Sequence, residues 1–328
     1  MEKGDKLMKQ ALFILGAPDD EMDAIKDILE ALQVPYMLAL DEHGKRVSLR
    51  SANKVSIAKP AAVYFRYGVN DPPPADKTFD GGMTTTPWTD NTYTHVFWVE
   101  CTPLQLHEQW ITNNCDKQYY INHHRPEDVG YGLPPEQYWS ASSLGQVINT
   151  LRCPPRGLQI VSKNNLDVNV VIQPRLWLLE HIAAADHCLR AAYKGQCPGI
   201  LPVSLRMWRL MSSSKQQNLS IDYCIHHQRQ QIAEVLALPK CCLGAKPDTI
   251  SELESYLIKD ATGMNIYNAP ELAYILDISI MFKRRNFICI TNAEPWVIDL
   301  WVERYARDKL TDIYVDRMNG EASGKIIK

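Results

Sequence analysis

The side chains best suited to chemistry cluster at a short motif, Asn122-His123-His124-Arg125-Pro126. Two adjacent histidines follow an apolar, strand-like run from Lys117 to Asn122. On an extended backbone such neighbours point to opposite sides. At a strand end the chain turns, and both rings can reach one cleft. One ring can then ligate a metal while the other donates to an anionic substrate. Acids occur at comparable places: Asp19 and Glu21 after the first apolar run, Glu100 at the end of THVFWVE, and Asp186 within the Ala-rich IAAADHC. An Asp and a His buried in an apolar helix each need a partner, and a cation is one. Each residue also has a plainer explanation. The histidine pair can be surface polarity, Asp19 a helix cap, Glu100 a solvated strand end, and Asp186–His187 a hydrogen-bonded pair on a helix face. It is the joint pattern, acids and histidine at successive strand ends, that points to metal binding.

These residues need a frame to bring them together. Ala11 to Leu15 is a short apolar run typical of a buried strand, and Gly16 to Pro18 reads as a turn. Met22, Ile25, Ile28, Leu29 and Leu32 then recur on one helical face, with Asp19 as a plausible N-cap. Tyr36 to Leu40 reads as a second strand, completing a βαβ opening of a parallel sheet. Ligands of such sheets collect beyond the carboxyl ends of the strands. Further strands are expected at 61–67, 94–100 and 117–122, and a long polar loop at 68–92. Helices are expected from about Ala141 and over Leu176 to Ala192. The resulting expectation is an α/β fold: a mostly parallel sheet flanked by helices, followed by a smaller C-terminal α/β domain. A soft boundary falls near residue 200, dividing 1–200 from 201–328. Beyond it, Ile221 to Leu238, Thr249 to Asp260 and Pro295 to Arg307 read as helices, and 287–291 and 312–315 as strands.

The 328 residues are 45% hydrophobic and 22% charged, which suffices for a real core and excludes wholesale disorder. The formal charge of −3 gives no global attraction to nucleic acid or anionic lipid. No apolar run approaches the ~18 residues a membrane span needs. The charged start, MEKGDKLMKQ, lacks a signal-peptide pattern, so a cytoplasmic protein without membrane association is expected. Nine cysteines without C-x-x-C spacing read as reduced thiols. Oligomeric state stays open, a homo-oligomer included.

The stretch from Asn122 to Val147 resembles the signature region of the DHH-family phosphoesterases, in which a strand leads into Asp-His-His, a loop and a Ser-rich helix start such as Ala141-Ser142-Ser143. The likeness covers roughly the first 200 residues. It implies that Asp19, Glu21, Glu100, His123 and Asp186 are metal ligands, and that His124 and Arg125 face a phosphate. It further implies two divalent ions, Mn²⁺ or Mg²⁺, and metal-assisted hydrolysis of a phosphorylated small molecule or nucleic acid. The carboxylate and imidazole mixture suits Mn²⁺ better than Ca²⁺. Departures from the pattern are Ala17 where a His commonly precedes the first acids, Glu100 for Asp, and Asn122 for the signature Asp. They keep a second possibility open: a catalytically degenerate relative that binds a nucleotide, nucleic acid or protein. In the C-terminal region, Gly320 to Lys325 is either a faint echo of a Gly-rich substrate loop or a flexible tail. Lys283 to Arg285 reads as a solvated basic turn, and His226–His227 as helix surface.

Overall fold

The computed structural model describes residues 10–40, 64–67, 93–101, 117–156, 158, 160, 166–238, 240–242, 257–264, 269–317 and 319–327. The loop expected at 68–92, and 61–63 of one expected strand, lie outside the described residues. The chain forms two compact units, Met1–His187 and Cys188–Lys328.

In the first unit, β1 (Gln10–Leu15) leads into α1 (Asp20–Leu32) and β2 (Tyr36–Leu40). β3 (Tyr64–Tyr67), β4 (Tyr93–Val99) and β5 (Lys117–Ile121) follow. The sheet order is β3-β2-β1-β4-β5. β1 runs parallel to β2 and β4, β4 runs parallel to β5, and β3 is an antiparallel edge. The central strands are buried runs, Ala11–Leu15 and Val96–Val99, as expected where helices cover both faces of a sheet. α1 starts where the Asp19 carboxylate accepts the Met22 N–H (2.7 Å) and ends at Gln33 in the left-handed region. Its buried face carries Met22, Ile25, Ile28, Leu29 and Leu32, together with Glu21. Short helices follow: α2 (Tyr138–Ala141), α3 (Ser143–Arg152) and α4 (Val168–Ile172). α5 (Leu176–Tyr193) is interrupted at Cys188, whose backbone leaves the helical region (φ −151°, ψ 55°).

Strand register sets up the functional rim. Leu15 pairs with Val99, and Val99 pairs with Ile121, so β1, β4 and β5 end level with one another. Gly16 N–H donates to Val99 O (2.8 Å) and Glu100 N–H to Ile121 O (2.9 Å), extending that alignment one residue further. The connection leaving β1 leads to β2 on one side and the connection leaving β4 leads to β5 on the other, so the two diverge between β1 and β4, where open α/β sheets form crevices.

The second unit contains α6 (Pro202–Gln217) and α7 (Ile221–Ala237), then β6 (Lys240–Cys242) and β7 (Leu257–Ala261). α8 (Ala269–Leu276), β8 (Ser279–Arg284), β9 (Phe287–Thr291), α9 (Pro295–Trp301), β10 (Leu310–Asp316) and β11 (Glu321–Ile326) complete it. Its sheet is mixed, in the order β10-β11-β9-β8-β7-β6. One core gathers Ile290, Val297, Ile298 and Trp301, and another Val235, Leu272 and Ile280. The chain is therefore α/β throughout, as the apolar patterning predicts.

Two local expectations need revision and a third needs refinement. Residues 257–260, expected at the end of a helix, form β7 instead, paired with β8 on one side and β6 on the other. Residues 249–256 of that helix lie outside the described residues. Pro295 to Arg307 is helical throughout, as expected, but not uniformly α: a wider π segment occupies Val302–Ala306 before the α-helix resumes at Arg307. Gly320–Lys325 is neither a loop nor a tail: Ala322–Lys325 pairs with β9, and Glu321–Ala322 also pairs with β10.

Candidate metal centre

The rim of the first sheet gathers side chains that lie far apart in sequence. Glu100 follows β4 with φ 51°, a left-handed conformation that is uncommon for a residue other than glycine. The chain turns sharply there and the carboxylate is buried. Gly16 makes the turn possible, since a Cβ at that position would stand 2.5 Å from Glu100 O. At the end of β5, Asn122 Oδ1 accepts the backbone N–H groups of His123 (2.8 Å) and His124 (3.3 Å). That local turn brings both rings to the same side, with centroids 4.1 Å apart.

His123 Nε2 is the hub. It lies 2.7 Å from Asp186 Oδ2, 3.2 Å from Glu100 Oε1 and 3.7 Å from Glu21 Oε2. His124 Nε2 lies 3.5 Å from Glu100 Oε1. Glu100, His123, His124 and Asp186 offer ligand atoms all within 4.8 Å of one another. Donor atoms at ~2.2 Å from a shared cation can be at most about 4.4 Å apart, so only a small contraction separates this set from coordination distance.

Neighbouring groups fix the carboxylates. Glu21 Oε1 accepts the Leu144 N–H (2.9 Å), placing an acceptor at the start of α3, where backbone N–H groups lack helical partners. Ser142 caps that helix through Gly145 N–H (3.0 Å), and Ser143 Oγ donates to Glu100 Oε1 (2.9 Å). Each glutamate thus has one oxygen held by protein. The other oxygens, Glu21 Oε2 and Glu100 Oε2, are buried without a hydrogen-bond partner, while Asp186 Oδ2 and His124 Nε2 meet other members of the cluster. Leaving buried polar atoms unpaired is costly. Two such oxygens among these side chains fit a cation site.

The charges agree. Burial pushes Asp19 up to about 9, and the nearby Glu100 and Asp186 charges add to the push. Burial also raises Glu21 well above the ordinary carboxylate range. For Glu100, burial acts upward, yet the His124 charge and the His123 hydrogen bond outweigh it and hold the group well below that range. Asp186 is likewise pushed up by burial but lowered by His123. Burial disfavours charge on His123, but Asp186 prevails and raises it well above its usual value. His124 is raised by Glu100 against the same burial cost. Without metal, the two imidazoles and the carboxylates of Glu100 and Asp186 therefore favour each other's charged forms. A divalent cation favours the charged carboxylates in the same way.

The chain matches no family and no curated protein. That result comes from comparison with protein-family models and with curated proteins. The functional reading rests on the site itself.

Asp19, Glu21, Glu100, His123, His124 and Asp186 all belong to this neighbourhood, Asp19 as both helix cap and charge neighbour. Arg125 comes next along the chain, part-exposed, with its backbone N–H held by Asp128 Oδ2 (2.8 Å). Sequence reasoning missed Ser143 as a partner of Glu100, the Leu144 N–H as a partner of Glu21, and the contacts of His187. His187 contacts Leu133 and His123. The Ser142-Ser143 pair was a visible signal for the first two, since it marks a helix start. No helix among the described residues is long and apolar enough to cross a membrane.

Proposed function

We propose that this protein is a metal-dependent phosphoesterase related to the DHH family, acting on a phosphorylated small molecule or a nucleic acid. The observation behind the reading is the meeting of buried Glu100 and His123 with half-buried His124 and Asp186 at the carboxyl rim of a parallel sheet. The order of these residues along the chain also follows that family. Glu100, His123 and Asp186 would hold the cation, with Glu21 and Asp19 beside them. Bound Mn²⁺ or Mg²⁺ would supply a Lewis acid that lowers the pKa of water and polarises phosphoryl oxygens. Ser143 and the Leu144 N–H orient the two glutamates, so their outward oxygens need no reorganisation. His124 would donate to a phosphoryl oxygen, and Arg125 would offset its charge. The fixed turn at Asn122 holds His124 beside His123 for that task.

The test is hydrolysis of a chromogenic phosphodiester by purified protein supplied with Mn²⁺, alongside the His124→Ala variant. Metal-dependent turnover that falls in the variant supports the reading. Tight Mn²⁺ binding with no turnover on mono- or diesters favours the second reading, a degenerate binding protein, to which Ala17, Glu100 and Asn122 lend weight. Asn122→Asp separates the two: a gain of hydrolysis marks a decayed enzyme.

A further inference from the structure

Metal-bound histidines are usually oriented by a partner on the ring nitrogen that faces away from the metal. Asn122 is not that partner here, because its carboxamide oxygen is taken up by two backbone N–H groups. Behind His123 stands His187, fully buried (0% exposed), with ring centroids 5.6 Å apart. His187 Nε2 is 3.0 Å from Leu133 O, and His187 Nδ1 is 3.5 Å from His123 Nδ1.

The proton positions follow in order. A carbonyl oxygen only accepts, so His187 must carry a proton on Nε2. In that tautomer the other nitrogen, Nδ1, is the acceptor that faces His123. The His123 Nδ1 must supply the proton between them, because two lone pairs facing each other would repel. His123 Nε2 is thereby left as the nitrogen whose proton a cation can replace. It is also the nitrogen surrounded by Asp186, Glu100 and Glu21.

We infer that His187 is a positioning residue: through the relay Leu133 C=O, His187, His123 it fixes the tautomer in which His123 Nε2 coordinates the metal. This rests on the metal-dependent reading above. It assigns the adjacent residues Asp186 and His187 separate tasks, one beside the cation and one behind its ligand.

The experiment is calorimetric titration with Mn²⁺ of wild type, His187→Phe and His187→Asn, with nitrogen NMR of the imidazole rings of the wild type. Phe keeps a flat ring without nitrogen, and a roughly 10–100-fold loss of affinity is expected. Asn puts an amide oxygen near the place of Nδ1 and should recover most of that loss, which a merely space-filling role would not produce. NMR should find His187 protonated at Nε2 and bare at Nδ1. A His187→Phe protein that folds and binds Mn²⁺ like the wild type overturns the relay alone. So does an Asn variant as weak as the Phe variant, or a proton on His187 Nδ1. If wild type binds no Mn²⁺, the metal reading fails and the relay falls with it.

Discussion

Glu100 holds an unfavourable backbone conformation, and the contacts of its side chain explain why it is retained. A left-handed residue with a Cβ costs on the order of 1 kcal/mol, which glycine would avoid. Here the carboxylate accepts from Ser143, faces both imidazoles and keeps one oxygen unpaired. Glu100→Gln preserves the shape and removes the charge that holds a cation. Calorimetry should show Mn²⁺ binding lost, and unchanged affinity would remove Glu100 from the site. In the second unit a half-buried acid is held by hydroxyl groups instead. Glu321 is raised by burial, and Tyr274 donates to it (2.8 Å). Since its folded-state pKa lies above the unfolded one, the stability it confers is complete in acid and is lost as pH rises through the folded value. Glu321→Gln, neutral at every pH, should gain on wild type in thermal melts as the pH rises above the ordinary carboxylate range. Parallel melting curves would count against that assignment.

Among elements, the rim depends on strands ending level and on close backbone passage. A Cβ at Gly16 would meet Glu100 O at 2.5 Å, and one at Gly130 would meet Ala141 O at 2.0 Å and His123 Cβ at 2.7 Å. Either clash is with backbone or with the site itself, so relief requires the rim to open. Gly16→Ala and Gly130→Ala should therefore weaken Mn²⁺ binding as well as stability. Ser142→Ala, which removes only a helix cap, should cost about 1 kcal/mol and leave the affinity largely intact. Equal loss of affinity in all three would mean the glycines have no special place. Much of this frame was legible. Ala11–Leu15 and Val96–Val99 are too short and apolar for anything but buried strands, and the acids that follow them mark their ends. The partners of those acids were not legible, because Ser143 meets Glu100 only after the chain has crossed the sheet and returned. Residues 257–260 read as the end of a helix from the sequence, because so short a run fits either period, and pairing with β8 makes them a strand. Likewise, Gly320–Lys325 looks like a loop by composition and becomes a strand through its neighbours β9 and β10.

For the whole molecule, a metal held by this cluster would be a ligand of the folded state alone, because the donors come from residues 100 to 186 and meet only in the native fold. At a hundredfold excess over Kd, such a ligand adds about 2.7 kcal/mol. For a unit of this size that is roughly 5–10 °C in melting temperature. Hydrogen exchange should show the gain at β1, β4 and β5, whose ends form the rim. Protection confined to the second unit would place the ion elsewhere. The most direct test of the account is a titration of the purified protein with Mn²⁺, repeated on His123→Ala, whose wild-type ring nitrogen lies within 3.7 Å of three carboxylates. The account predicts micromolar binding that disappears in the variant. No binding by the wild type, or equal binding by both proteins, would contradict it.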